Sequence, residues 1–242
     1  ERLWDAGVSI PIVCLPATID NNVPGSEFSV GADSALGGAV FVLDRVKQSA
    51  SASTRCFVAE TMGRRCGYLT LMAAIGTGAE RVYLHEDGLS LEQVEHDVER
   101  MRAAFRSGRR LFLALRGEHA DDRYTTDVLA DLFAAESRGL YDVRTSVVGH
   151  MQQGGDPSPF DRLLATRLAS AVMEHLDGAA EGSAPVLAAA SGGAVFIRPL
   201  EEALAMFDRE NERPREQWWM ALRPLVEQLS IAPATGDGPE PS

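Results

Sequence analysis

The chain has 242 residues, 45% of them apolar, which is enough to bury a sizeable core as one large domain or two small lobes. A net charge of −12 argues against nucleic-acid binding, which depends on Lys and Arg meeting phosphates, and no apolar run reaches the ~18 residues of a membrane span. Three cysteines with no CxxC pair (Cys14, Cys56 and Cys66) and the polar start Glu1–Asp5 point to reduced thiols in a cytoplasmic protein rather than to secretion.

The predicted elements alternate between strand and helix. Ile10–Leu15 is a short continuous apolar run, the pattern of a strand buried on both faces. A helix is expected from Ala32 to Ser49, then a strand at Arg55–Glu60, a helix at Tyr68–Ile75 and a strand at Arg81–Leu84. The clearest helix runs from Leu91 to Phe105: Leu91, Val94, Val98, Met101 and Phe105 fall at helical spacing, and Ser90 with Gln93 makes a capping box. A strand at Leu111–Leu115, a helix at Thr126–Ala135, a strand at Val143–Val148, a helix at Phe160–Leu176 and a strand at Ala194–Ile197 follow. Asp177–Ser183 reads as a surface loop, and 231–242, rich in Pro, Gly, Asp and Glu, as a disordered tail. The chain opens in what reads as the end of a helix, an unusual start for a parallel α/β sheet, so a partial chain is expected.

Such alternation implies a parallel sheet with helices on both faces, and ligands in these folds sit beyond the carboxyl ends of the strands. Four clusters stand there. Thr18, Asp20, Asn21 and Asn22 follow the first strand; Asp20 can serve as a general base, and the same residues equally suit a turn. Met62-Gly63-Arg64-Arg65 follows the second, where glycine permits close backbone approach and arginine supplies charge, or where a tight turn carries solvated arginines. Glu118 and His119 follow the third, with Glu118 able to hold a sugar hydroxyl. His150, Gln152 and Gln153 follow the fourth, before Gly154-Gly155, a combination suited to an anion. If the four share one sheet edge, Arg55, Arg64, Arg144 and His150 beside one carboxylate describe a site for a phosphorylated polyol. Lys47, the only lysine, lies in Arg45-Val46-Lys47-Gln48, which excludes a P-loop, and no HxxxH or Cys/His cluster is present to hold a metal.

Pro16-Ala17-Thr18-Ile19-Asp20-Asn21-Asn22, Glu60-Thr61-Met62-Gly63-Arg64, Gly149-His150-Met151-Gln152-Gln153-Gly154-Gly155 and Pro159-Phe160-Asp161-Arg162 resemble, in order and spacing, the motifs of 6-phosphofructokinases. Gln217-Trp218-Trp219 and Asn21-Asn22-Val23-Pro24-Gly25 look most like the C-terminal half of the duplicated eukaryotic-type enzymes. The resemblance implies a three-layer, Rossmann-like phosphofructokinase fold over residues 1–230, with the N-terminal nucleotide-binding part lying upstream. It implies transfer of the γ-phosphoryl of MgATP to the 1-hydroxyl of fructose 6-phosphate, or, in a regulatory half, binding of fructose 2,6-bisphosphate. By the same resemblance Thr18 and Asp20 meet the reacting hydroxyl with Asp20 as base, and Met62, Gly63 and Arg64 lie against the sugar phosphate. Glu118 holds sugar hydroxyls, His150 and Gln153 bind phosphate, Arg55 and Arg144 reach a neighbouring subunit or half, and Arg213 adds a phosphate contact. A homo-oligomer, dimer or tetramer, with shared sites follows.

Two positions depart from a catalytic half: Asn22 stands where a second Asp is usual, and Gln153 where an Arg is. Asp20 and Arg64, however, are what a catalytic site keeps. The family's glycine loops and magnesium-holding Asp are expected upstream of Glu1, so ATP and Mg²⁺ are not assigned to residues here, and the chain alone is expected not to turn over. Donor choice between ATP and pyrophosphate is left open. A dinucleotide oxidoreductase would need an early GxGxxG, which is absent.

Overall fold

The computed structural model describes residues 10–49 and 53–230; the helix end expected before Ile10 and the tail expected at 231–242 lie outside them. The strands form two main sheets, where the sequence led us to expect one. The first is parallel, with β2 (Arg55–Thr61), β3 (Arg81–Tyr83), β4 (Leu111–Gly117) and β5 (Asp142–Val147) in the order β3-β4-β2-β5. Alternate residues of β2 face opposite sides. Phe57 and Ala59 join the core under α1 (Ala32–Ser49) and α2 (Tyr68–Thr77), while Cys56 and Val58 join the core under α3 (Leu91–Arg106) and α4 (Thr126–Ala135). Three layers result, as strands covered on both faces require.

The second sheet is mixed. Strand β1 (Val13–Cys14) pairs parallel with β6 (Val186–Ser191), which pairs antiparallel with β7 (Ala194–Pro199). Between β6 and β7, Gly192 and Gly193 take φ of 57° and 81°, the two left-handed residues of a tight hairpin. Strand β1 is only Val13–Cys14, shorter than the expected Ile10–Leu15, and it is not buried on both faces: Ile10 is 64% exposed and Leu15 47%. Pro11 and Pro16 have no N–H to give a ladder, and Pro16 instead accepts from Val30 N at 2.9 Å. The helix α5 runs from Pro159 to Gly178, so the expected loop at 177–183 begins two residues late. Its Leu164 and Leu168 pack on Ala188 and Ala190 of the second sheet, and α6 (Leu200–Ala205) covers the other face through Ala203. A short ribbon, β8 (Phe207–Asp208) with β9 (Arg213–Pro214), leads to the turn Trp218–Leu222 and to α7 (Pro224–Ser230), which carry Trp219 and Val226 back to the first sheet's core.

Helix ends follow the sequence rules. Ser90 N donates to Gln93 Oε1 at 2.8 Å and Gln93 N to Ser90 Oγ at 3.3 Å, the expected box. A less visible cap links α1 to α5. Asp161, 2% exposed, accepts from Gly31 N at 2.9 Å, Ser34 N at 2.8 Å and Ser34 Oγ at 2.6 Å. Ser158 caps α5 through Asp161 N at 3.1 Å and donates to Asp33 Oδ2 at 2.5 Å. Two helix starts, each rich in unsatisfied N–H groups, thus share carboxylates from one another. No helix among the described residues is long and apolar enough to cross a membrane.

Replacing Asp161 with Ala removes three charge-assisted bonds from the start of α1 and is expected to destabilise the protein by about 2–4 kcal/mol. Urea denaturation checks this as a lower midpoint at unchanged slope.

Candidate functional site

The loop after β1 is set by its own side chains. Asn21, at φ 53°, bridges it, donating to Glu27 O at 2.9 Å and accepting from Ser29 N at 2.7 Å. Thr18 Oγ1 accepts from Asp20 N at 3.3 Å. Asn22 leaves the loop and donates to Glu212 O at 2.9 Å, tying it to the β8–β9 turn.

Beyond β2 the chain turns at Gly63, φ 148°, where a Cβ would stand 2.5 Å from Cys66 O. Only glycine closes this turn, which the Cys66 N to Gly63 O bond completes at 2.9 Å. Arg64 follows with φ 51°; its side chain is 71% exposed, and its guanidinium lies 3.7 Å from Asp20. The backbone N–H groups of Gly63 and Arg64 donate to Glu118 Oε1 at 3.2 and 2.7 Å. Glu118 is held in turn by Arg116, 2% exposed, whose guanidinium bonds Glu60 at 2.9 Å and the carbonyls of Glu118, Asp121 and Tyr124 at 3.0, 2.5 and 3.0 Å. The third cluster therefore reaches the second through the Glu118 carboxylate, on a loop held by a buried arginine of β4.

Asp20 is 8% exposed, and burial pushes its carboxyl above the ordinary 3.8; Arg64 pulls it back and Glu118 pushes it further up. Cys66, close by, is no nucleophile: burial pushes its thiol up to about 12. Arg213 is committed inside the protein. It bonds Arg65 O and His85 Nδ1, the latter at 2.8 Å, and lies 3.2 Å from Glu86, which also accepts from Gly67 N at the start of α2. Its guanidinium steadies the Arg65 turn from below.

The four clusters do not line one sheet edge, because β1 belongs to the second sheet. The loops after β1, β2 and β4 nevertheless meet at Asp20, Arg64 and Glu118. His150 and Gln153, both exposed, sit on the turn after β5, with Gln153 N donating to His150 O at 3.0 Å. That turn joins the rest through Gln152, which the sequence grouped with His150 and Gln153 as a candidate for an anion: it is 1% exposed and instead accepts from Met62 N at 2.7 Å. The constellation of Arg55, Arg64, Arg144 and His150 beside one carboxylate is not formed. Arg55 opens β2, about 20 Å of strand from its carboxyl end. Arg144 lies opposite Phe57 on the edge strand β5, so Arg144, like Arg55 on the inner strand β2, is on the α1/α2 face of the sheet. A buried arginine within the apolar run of β4 was the sequence signal for Arg116, since such a charge needs partners. No comparable signal separated Gln152 from Gln153. Among the described residues no group of three His, Cys, Asp or Glu side chains could hold a metal.

The order and spacing of these elements match a family model, Phosphofructokinase, over residues 1–176. The chain belongs to the phosphofructokinase family. It is 40% identical over 239 residues to the human ATP-dependent 6-phosphofructokinase, muscle type, covering 91% of this chain and 30% of that one. It is 39% identical over 245 residues to the platelet type of Pongo abelii, covering 94% and 31%. The chain thus spans about 30% of the length of the curated relatives it matches. Among solved structures, phosphofructokinase from Saccharomyces cerevisiae superposes with a TM-score of 0.85 at 31% identity over 92% of this chain and 31% of that one. A pyrophosphate-dependent phosphofructokinase from Marinobacter aquaeolei, at 18% identity over 98% of this chain and 65% of that one with a TM-score of 0.65, shares the fold. The phosphofructokinase fold is therefore that of this chain.

The raised Asp20 carboxyl has a consequence for stability. The folded form keeps this proton to higher pH than the unfolded chain, so the group favours folding below its unfolded value and loses that contribution as pH rises through the folded one. Asp20→Asn is expected to raise the melting temperature at pH 7 by about 2–4 °C, the gain fading toward about pH 4, as calorimetric melts across pH will check.

Proposed function

We propose that this chain is the sugar-phosphate-binding part of a 6-phosphofructokinase, an enzyme that transfers the γ-phosphoryl of MgATP to the 1-hydroxyl of fructose 6-phosphate. The observation that carries the reading is the buried Asp20 carboxylate 3.7 Å from the Arg64 guanidinium, in a chain of this family. A carboxylate whose proton affinity is raised by burial is a stronger base than one in water, and fits removal of a proton from a sugar hydroxyl. Arg64, exposed and hydrogen-bonded through its backbone while its guanidinium stands 3.7 Å from Asp20, can turn its fork toward phosphate oxygens. Glu118 spends one oxygen on the backbone of Gly63 and Arg64, leaving the other for sugar hydroxyls. Thr18, Asn22, Met62, Gly63, His150, Gln153 and Arg213 complete the proposed shell, Asn22 and Arg213 chiefly by holding its loops.

The described residues supply no metal cluster, so the reading assigns the nucleotide and its Mg²⁺ to other parts of the whole enzyme, and no step is drawn through them. ATP is preferred to pyrophosphate as donor because the relatives at 40% identity are named ATP-dependent, whereas the pyrophosphate-dependent neighbours lie at 16–18%. Arg144, on the exposed edge strand of the first sheet, and Arg55, at the start of the strand beside it, fit residues that complete a neighbour's site in a cytoplasmic homo-oligomer, dimer or tetramer. The proposed domain is 1–230.

One observation favours a second reading. The Asn22 amide donates to a backbone carbonyl, which a second catalytic Asp could not do, so this position tethers a loop as a regulatory copy permits. Such a copy would bind fructose 2,6-bisphosphate without turnover and shift the active oligomer.

Calorimetric titration with fructose 6-phosphate and with fructose 2,6-bisphosphate decides between them. The proposal expects fructose 6-phosphate to bind and Arg64→Ala to weaken it at least about tenfold. Binding of the bisphosphate alone supports the regulatory reading, and binding of neither contradicts both.

A further inference from the structure

Every N–H of Met62-Gly63-Arg64 is taken by a side chain from another loop. Gly63 and Arg64 donate to Glu118 Oε1, and Met62 donates to Gln152 Oε1 at 2.7 Å. Gln152 rides on the Gly149–Gln152 turn, one residue from Gln153 and two from His150. The α1 backbone comes against this turn at Gly38, where a Cβ would stand 3.4 Å from Met151 O and 3.5 Å from Gln152 Cα.

The amide uses only its oxygen within the protein. Gln152 Nε2 is buried and has no protein acceptor among the described residues. Packing alone does not call for such a group, since methionine fills nearly the same shape and brings no strong donor to satisfy. The oxygen, by contrast, sits on the backbone that sets Arg64. That arginine holds φ 51°, a conformation a residue with a Cβ keeps only when its surroundings impose it.

We infer that Gln152 is a positioning residue: its carbonyl oxygen and the Glu118 carboxylate together hold the Met62–Arg64 backbone in the shape that brings Arg64 to Asp20, and it serves the site rather than the fold. The inference rests on the reading that this site takes a phosphorylated sugar. It also joins the segment bearing Arg64 to the one bearing His150 and Gln153.

The test compares the full chain with Gln152→Met and Gln152→Glu by calorimetric titration with fructose 6-phosphate and fructose 2,6-bisphosphate, thermal melting and amide hydrogen exchange. Gln152→Met is expected to lose about tenfold in affinity for whichever sugar the parent chain binds, with melting temperature unchanged or raised. Exchange should quicken at Met62, Gly63 and Arg64 together. Gln152→Glu, which keeps an acceptor at the same atom, should leave all three amides protected. Unchanged affinity in Gln152→Met, or affinity and melting temperature falling together, overturns the inference, as does exchange that quickens at Met62 alone. Should the parent chain bind neither sugar, the phosphosugar reading fails by itself, and the three-amide exchange still decides whether Gln152 positions Arg64.

Discussion

One buried carboxylate sets the frame on which the site is built. Asp161 lies at the start of α5 and satisfies the first N–H groups of α1, so two helix starts are fixed against each other within hydrogen-bond tolerance. Each start is also the end of a site segment. The loop carrying Thr18, Asp20 and Asn21 runs into α1, and the turn carrying His150, Gln152 and Gln153 runs into α5 through Ser158. The two sheets could slide relative to each other if only apolar surface joined them, since such contacts have little direction. A charge shared between two helix dipoles has direction and leaves little freedom.

On that frame the site is made by side chains bonding backbone across loops. Asn21 spans its own loop, Asn22 reaches the β8–β9 turn, Glu118 and Gln152 take the Met62–Arg64 amides, and Arg116 holds the Glu118 loop. Among the described residues, three of the four non-glycine positions with positive φ, Asn21, Arg64 and Glu212, belong to this small region. Each such conformation costs about 1 kcal/mol or more for a residue with a Cβ and persists only where neighbours over-determine it. Together with a carboxylate held charged against its burial, this is strain kept for geometry. Stability and site organisation pull in opposite directions here, as they commonly do where chemistry needs groups a stable core would reject.

Much of the fold was legible because it rests on local rules. α1 and α4 fall where the pattern puts them, and the Ser90–Gln93 box of α3 is formed. The second sheet was not, since β6 is Val-Leu-Ala-Ala-Ala-Ser, without the β-branched and aromatic run that marks a strand, and its partner β1 is two residues long. Pairing between segments more than 170 residues apart leaves no local trace. The rule that ligands gather at strand carboxyl ends picked out Asp20, Arg64 and Glu118, which the fold brings together. It misplaced Arg55 and Arg144, whose position depends on the register of β2 with β5 and on which end of the strand a residue occupies. Gln152 and Gln153 were equivalent by composition; a single 3₁₀ turn buries one and exposes the other.

The central claim is that Asp20, Arg64 and Glu118, carried on loops from two sheets, act as one electrostatic unit. The most direct measurement is the ¹³C titration of the Asp20 carboxyl by nuclear magnetic resonance in the parent chain, in Arg64→Ala and in Glu118→Gln. The account predicts a midpoint above the ordinary 3.8 that rises further without Arg64 and falls without the Glu118 charge. A midpoint at the ordinary value, indifferent to both substitutions, would contradict it.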